Sequence, residues 1–145
     1  MKIRQLSVFL ENKVGELSKV CRILANNNIN IIASNLADTS DFGIFRMVVN
    51  RPEDAKKLLK ESNFTVLEND VIALDIEDRP GGLADVLELL EKNKINIEYL
   101  YVLARREPGK ITFIFRFKEI DKAISLLLEN NVKVYKNIDI INASE

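Results

Sequence analysis

The stretch VFLENKVGELSKVCRILANNNINI (Val8 to Ile31) lies over LDIEDRPGGLADVLELLEKNKINI (Leu74 to Ile97) without a gap, so that Gly15 meets Gly81, Leu17 meets Leu83, Leu24 meets Leu90 and Asn30 meets Asn96. Small adjustments further on bring Ile44 opposite Ile111 and Ala55 opposite Ala123. No other feature constrains the fold as tightly. A segment that recurs must form the same supersecondary unit twice, and each unit must bury the same apolar face. The chain is a duplication, read as one domain over residues 1–68 and a second over residues 69–145.

Each copy follows one pattern. In the first, Leu6, Val8 and Leu10 alternate with the residues between them, the mark of a half-buried strand. A polar turn from Glu11 to Gly15 follows. Leu17, Val20, Cys21 and Leu24 then recur at the spacing of an amphipathic helix. Asn26-Asn27-Asn28 stops that helix, because Asn tolerates the left-handed conformation. Ile29–Leu36 and Ile44–Val49 read as strands, with Asp38, Asp41 and Gly43 in the loop between them. Pro52 suits the first turn of a second helix with Ala55, Leu58 and Leu59 inside, and a short strand at Thr65–Leu67 closes the unit. The second copy repeats the order: Val71–Ile76, a helix carrying Leu83, Val86, Leu87 and Leu90, then Ile95–Ala104. After the Glu107-Pro108-Gly109 turn come Ile111–Phe117, a helix over Ile120–Glu129, and a strand at Val132–Tyr135.

This order is βαββαβ twice: an α+β chain of two tandem ferredoxin-like units. Right-handed crossovers place the helices of a unit on one face of an antiparallel sheet. The join, Glu68-Asn69-Asp70, has no Gly or Pro run, which predicts packed rather than freely swinging units. Asn137–Ile141 resembles the start of the second copy and is expected to add an edge strand.

Composition narrows the chemistry. The chain contains no His, so histidine metal sites, His general bases and Ser-His-Asp triads are excluded. Twenty-one basic residues face 22 acidic ones, and so balanced a charge offers no field to gather nucleic acid or an anionic membrane. No apolar run is long enough to span a bilayer, and the start of the chain alternates like a strand rather than forming a signal peptide. The expected setting is the cytoplasm. The single Cys21 can form no intramolecular disulfide and reads as a small core side chain. No loop has the spaced acids of a Ca²⁺ or Mg²⁺ site, and no metal or cofactor is expected.

The element order, the loop DRPGGL (Asp78 to Leu83) and the later KINI (Lys94 to Ile97) together resemble an ACT domain. The first copy carries NKVGEL (Asn12 to Leu17) and NINI (Asn28 to Ile31), lacking the Asp and Pro of the motif. The resemblance covers essentially the whole chain. It implies a non-catalytic regulatory protein binding a small ligand, typically an amino acid, between neighbouring ACT domains. It also implies a homodimer and a partner metabolic enzyme.

The residues make that role chemically reasonable. Gly15 and Gly81 stand where a strand turns into a helix, and lacking a Cβ they permit positive φ and close approach by a ligand. The helix start directs N–H groups towards a carboxylate. Asp78 suits a ligand ammonium and Asn12 could accept a hydrogen bond from one. By resemblance, Asn30 and Asn96 lie on the second strand of a neighbouring domain, which suggests crossed pairs of Asn12 with Asn96 and Asp78 with Asn30. Val14, Glu16, Leu17, Pro80, Gly82 and Leu83 complete the candidate site. The residues flanking the turns (Val14, Leu17, Leu83, Leu100 and Tyr101) lean towards a hydrophobic amino acid. Each has a structural alternative: the glycines as turn residues, Asp78 as a helix cap, the asparagines as exposed strand positions.

Three other functions compete. RNA-recognition motifs share this order and stack bases on central-strand aromatics. Phe113 and Phe115 fit, but the first copy offers only Phe45, and the pI is about 5.7. An enzyme would need paired carboxylates or a lysine in a cleft. A protein-interaction module that merely mediates assembly is the serious alternative. Phe113, Phe115 and Phe117 read as core, Tyr99 and Tyr101 as core or interface. Arg105-Arg106 reads as a solvated turn and Lys56-Lys57 as a solvated helix face.

Overall fold

The computed structural model describes residues 1–38, 41–104 and 107–142; the Arg105-Arg106 turn lies outside them. The elements are β1 (Ile3–Glu11), α1 (Glu16–Asn26), β2 (Ile31–Asp38), β3 (Phe42–Val49), α2 (Pro52–Glu61), β4 (Thr65–Glu77), α3 (Gly82–Lys92), β5 (Ile97–Val102), β6 (Lys110–Phe117), α4 (Ile120–Glu129) and α5 (Asn137–Asn142). The chain divides into two compact units, one of Arg4–Asn69 with the segment from Ile141 onward, the other of Asp70–Ile140 with Met1–Ile3.

In the first unit β3 lies between β2 and β1, antiparallel to both. Leu6, Val8 and Leu10 enter one core with Val20 and Leu24 of α1, Ala55 and Leu59 of α2, and Phe45, Met47 and Val49 of β3. Alternation along the strands and the 3.6-residue period of the helices therefore deliver one shared apolar face. In the second unit β6 lies between β4 and β5, again antiparallel. Ile72, Leu74 and Ile76 meet Phe113, Phe115, Phe117, Leu90, Ala123 and Leu127. The aromatic alternation on β6 is core, as its period predicts. The order βαββα is common to both copies, and even the irregularity of β2 between Ile31 and Ala33 recurs in β5 between Ile97 and Tyr99.

The helix ends are duplicated as well. Asn28, Asn63, Lys94 and Asn131 all adopt positive φ, at 55°, 68°, 56° and 59°. Behind α1, Asn28 N donates to Ala25 O at 3.1 Å and Ile29 N to Leu24 O at 3.0 Å, the paired bonds of a Schellman motif. Ile95, Phe64 and Val132 make the matching bond behind α3, α2 and α4. Each helix stop thus turns an apolar residue back into the core.

Four sequence expectations need correction. Thr65–Leu67 and Val71–Ile76 are one strand, β4, because Glu68 is partly buried and ion-paired to Arg4 and Lys56 instead of turning the chain. Lys56 is therefore half-buried and engaged, not a solvated helix residue. Val132–Tyr135 forms only an isolated bridge, Val134 opposite Leu74, with Tyr135 N donating to Ala73 O at 2.9 Å. Asn137–Ile141 is no edge strand but lies in α5, with Ile140 buried; so short an apolar pattern does not separate a strand from one helical turn.

Candidate functional site

Both units make the same strand-to-helix turn. Gly15 has φ 91° and ψ −12°, and Gly81 has φ 86° and ψ −10°, each capping the helix that follows. This left-handed region is open to glycine and strained for L side chains. The hydrogen bonds repeat: Lys13 N to Glu11 O at 2.9 Å and Arg79 N to Glu77 O at 3.0 Å, then Lys19 N to Gly15 O at 3.0 Å and Asp85 N to Gly81 O at 2.9 Å. No side chain caps either helix, so Asp78 is not a helix cap.

The two turns differ at the next residue. In the second unit Gly82 is buried, and an added Cβ would sit 2.1 Å from the Glu77 carbonyl oxygen. Gly82 N donates to Arg79 O at 3.0 Å, whereas the corresponding bond from Glu16 N to Lys13 O is 3.5 Å. The absence of a side chain lets the second turn close onto its strand. Glu16 keeps the first turn looser.

Beside each turn lies a cleft. In the first unit it measures about 290 Å³, with Leu10, Glu11, Asn12, Lys13, Glu16 and Leu17 on one wall and Leu36, Ala37, Asp38 and Gly43 on the other. In the second unit it measures about 770 Å³, with Asp78 on one wall and Val102, Leu103, Ala104 and the Glu107–Ile111 segment facing it. Pairing of β1 with β3, Leu10 opposite Gly43, and of β4 with β6, Glu77 opposite Lys110, brings these walls together. Asp78 N also donates to Gly109 O at 3.0 Å, tying the turn to the facing loop.

The clefts are rich in charge. Lys13 Nζ lies 2.9 Å from Glu11, whose hydrogen bond, with the nearby Glu16 charge, raises the Lys13 pKa. Lys110 pairs with Glu77. Arg79 is drawn along the helix, 2.6 Å from Asp85. Among the described residues, no group of three or more His, Cys, Asp or Glu side chains is arranged to hold a metal ion, and no helix is long and apolar enough to cross a membrane.

Of the residues expected from sequence, Asn12, Glu16 and Leu17 line the first cleft and Asp78 the second. Val14 and Gly15 are exposed at the turn, Val14 fully so. Pro80 and Gly81 are exposed, and Leu83 packs against the core. Asn30 is exposed, its backbone N–H bonded to Asn50 Oδ1 at 3.0 Å. Asn96 lines a separate groove with Leu87 and Lys94. The facing walls, Leu36–Asp38 with Gly43 and Val102–Ala104 with Glu107–Ile111, were missed as site residues; their signal was the strand pairing that sets Phe42 opposite Glu11.

A duplicated ferredoxin-like fold with a cleft beside each strand-to-helix turn defines a tandem pair of small α+β domains. The family model for the ACT domain pair matches residues 1–143, and the chain belongs to that family. A crystal structure of a protein from Bacteroides thetaiotaomicron is 38% identical, with 97% of this chain and 96% of that one aligned at a TM-score of 0.90. The ligand-free regulatory subunit of aspartate kinase from Thermus thermophilus shares the fold at 15% identity, covering 87% and 91% of the two chains with a TM-score of 0.64. The corresponding subunit from Thermus flavus is similar, at 15% identity, 87% and 90% coverage and a TM-score of 0.62. No curated protein matches the sequence.

Proposed function

We propose that this chain is a non-catalytic cytoplasmic regulator that binds an amino acid at the two strand-to-helix clefts and passes the binding state to a partner enzyme. The observation that carries the reading is a cleft beside the strand-to-helix turn of each unit, lined by Asn12, Lys13 and Glu16 in the first and by Asp78 in the second. The first turn of α1 and of α3 favours a ligand carboxylate. Asn12, Glu16 and Asp78 are suited to its ammonium. The domain division 1–68 and 69–145, and the crossed pairs Asn12 with Asn96 and Asp78 with Asn30, belong to this proposal. The regulatory subunits of the Thermus aspartate kinases motivate the partner enzyme.

An assembly role is the second reading. Leu36 on β2 and Val102 on β5, strands with one described neighbour each, are both 52% exposed, a pattern suited to homodimer contacts. Thermal unfolding with each standard amino acid at millimolar concentration separates the two. Ligand at ~100 times its dissociation constant adds about 2.7 kcal/mol, a rise of roughly 5–10 °C at this chain length. A flat response across the panel, with a concentration-dependent melting temperature, favours assembly alone.

A further inference from the structure

We propose that Glu107 is an ammonium acceptor of the second cleft, and that Lys133 and Tyr135 report its occupancy to the C-terminal segment. The inference rests on the ligand reading above and adds to it an acceptor and an output.

It starts from a buried charge. Asp75 stands on β4 where the first copy carries Phe9, and its side chain is only 4% exposed. A carboxylate so placed must be hydrogen-bonded. Thr112 Oγ1 donates to Oδ1 at 2.6 Å, and the hydroxyl of buried Tyr135 donates to Oδ2. The same hydroxyl oxygen lies 3.2 Å from Glu107 Oε2. A phenol has one proton, and given to Asp75 it does nothing for Glu107. Positive charge holds the carboxylates together instead: Lys133 Nζ is 3.7 Å from Asp75 Oδ2 and from Glu107 Oε2, and 4.4 Å over the Tyr135 ring. Among these groups Glu107 is the most loosely held anion, sharing one ammonium with Asp75 and sitting 45% exposed on the cleft rim.

A ligand ammonium entering the cleft offers Glu107 a charge-assisted hydrogen bond and repels Lys133. Lys133 belongs to the segment bridged to β4 at Leu74 and Val134, where Lys133 O accepts from Asp75 N at 3.3 Å. Among the described residues only two backbone hydrogen bonds, Asp75 N to Lys133 O and Tyr135 N to Ala73 O, hold this bridge, and α5 follows directly.

The test uses methylammonium chloride against potassium chloride at equal ionic strength, on the full chain, with amide exchange and chemical shifts read by NMR. Methylammonium is expected to shift the Glu107 side-chain resonances and to speed exchange of the Tyr135 amide roughly fivefold. Glu107→Gln should lose both effects; Lys133→Met should keep the shift and lose the exchange response. No effect beyond potassium, or an equal effect in Glu107→Gln, overturns the proposal. If the amino-acid panel is flat while methylammonium still acts through Glu107, the ligand reading fails and this acceptor stands. An amino acid that binds the Glu107→Gln variant at the second cleft as tightly as the parent removes the acceptor alone.

Discussion

Replacing Gly82 with alanine puts a methyl carbon 2.1 Å from the Glu77 carbonyl oxygen and 3.4 Å from Ile76 Cγ2. Non-bonded contact for carbon sits at roughly 3.5 Å, so the start of α3 must retreat from β4 by about 1 Å or more. The opposing atom is backbone in a paired strand, so it cannot swing aside. Overpacking of this kind costs about 3 kcal/mol, the upper part of its usual range. At about 2–4 °C per kcal/mol for a chain of this size, the melting temperature should fall by about 6–12 °C, read by far-UV circular dichroism. Two controls fix the cause. Gly15→Ala meets nothing within 4 Å and carries only the cost of φ 91°, about 1–2 kcal/mol. Glu16→Ala, at the equivalent position of the first copy, already has a Cβ and should change stability by less than about 1 kcal/mol. If Gly82→Ala melts within about 2 °C of the parent, or above Gly15→Ala, the close approach of α3 to β4 is wrong.

Other expectations follow from single residues. Asp78→Ala should leave the ligand-free melting temperature within about 1 °C, since the carboxylate caps no helix, while binding at the second cleft, followed by calorimetry, is lost; a large loss of stability would make Asp78 structural. Burial raises the pKa of the Cys21 thiol, so alkylation at neutral pH should be slower than for a free thiol, rising only above the usual thiol range; modification at the free rate contradicts the packing of α1. Lys94→Gly relieves a positive φ of 56° and should stabilise by about 0.5 kcal/mol after the added unfolded-state entropy, raising the melting temperature by about 1–2 °C.

Much of the fold was legible because local patterns and tertiary packing agree. The stripe of Leu17, Val20, Cys21 and Leu24 placed α1, and the helix expected around Ile120–Glu129 is α4. The Asn cluster ended α1 through Asn28, as its tolerance of positive φ implies. The readings failed where distant contacts decide. Glu68 and Asn69 look like a turn but continue β4, because Arg4 and Lys56 approach Glu68 from elsewhere in the sequence. Asn137–Ile141 shares apolar spacing with a strand but forms a helical turn burying Ile140. The glycine turns could be read from residue type alone. The facing walls required the strand register, and the cluster of Asp75, Glu107, Lys133 and Tyr135 joins residues up to 60 positions apart. No local pattern marks such a cluster.

The most direct test of the central claim is titration calorimetry of the full chain with each amino acid that shifts its melting, or with an equimolar mixture of the twenty if none does, repeated on Asp78→Ala. The duplicated clefts predict two binding equivalents per chain for the parent and one for the variant. Absence of binding heat at several temperatures, or binding that Asp78→Ala leaves at full stoichiometry, would contradict the assignment of these clefts as the ligand sites.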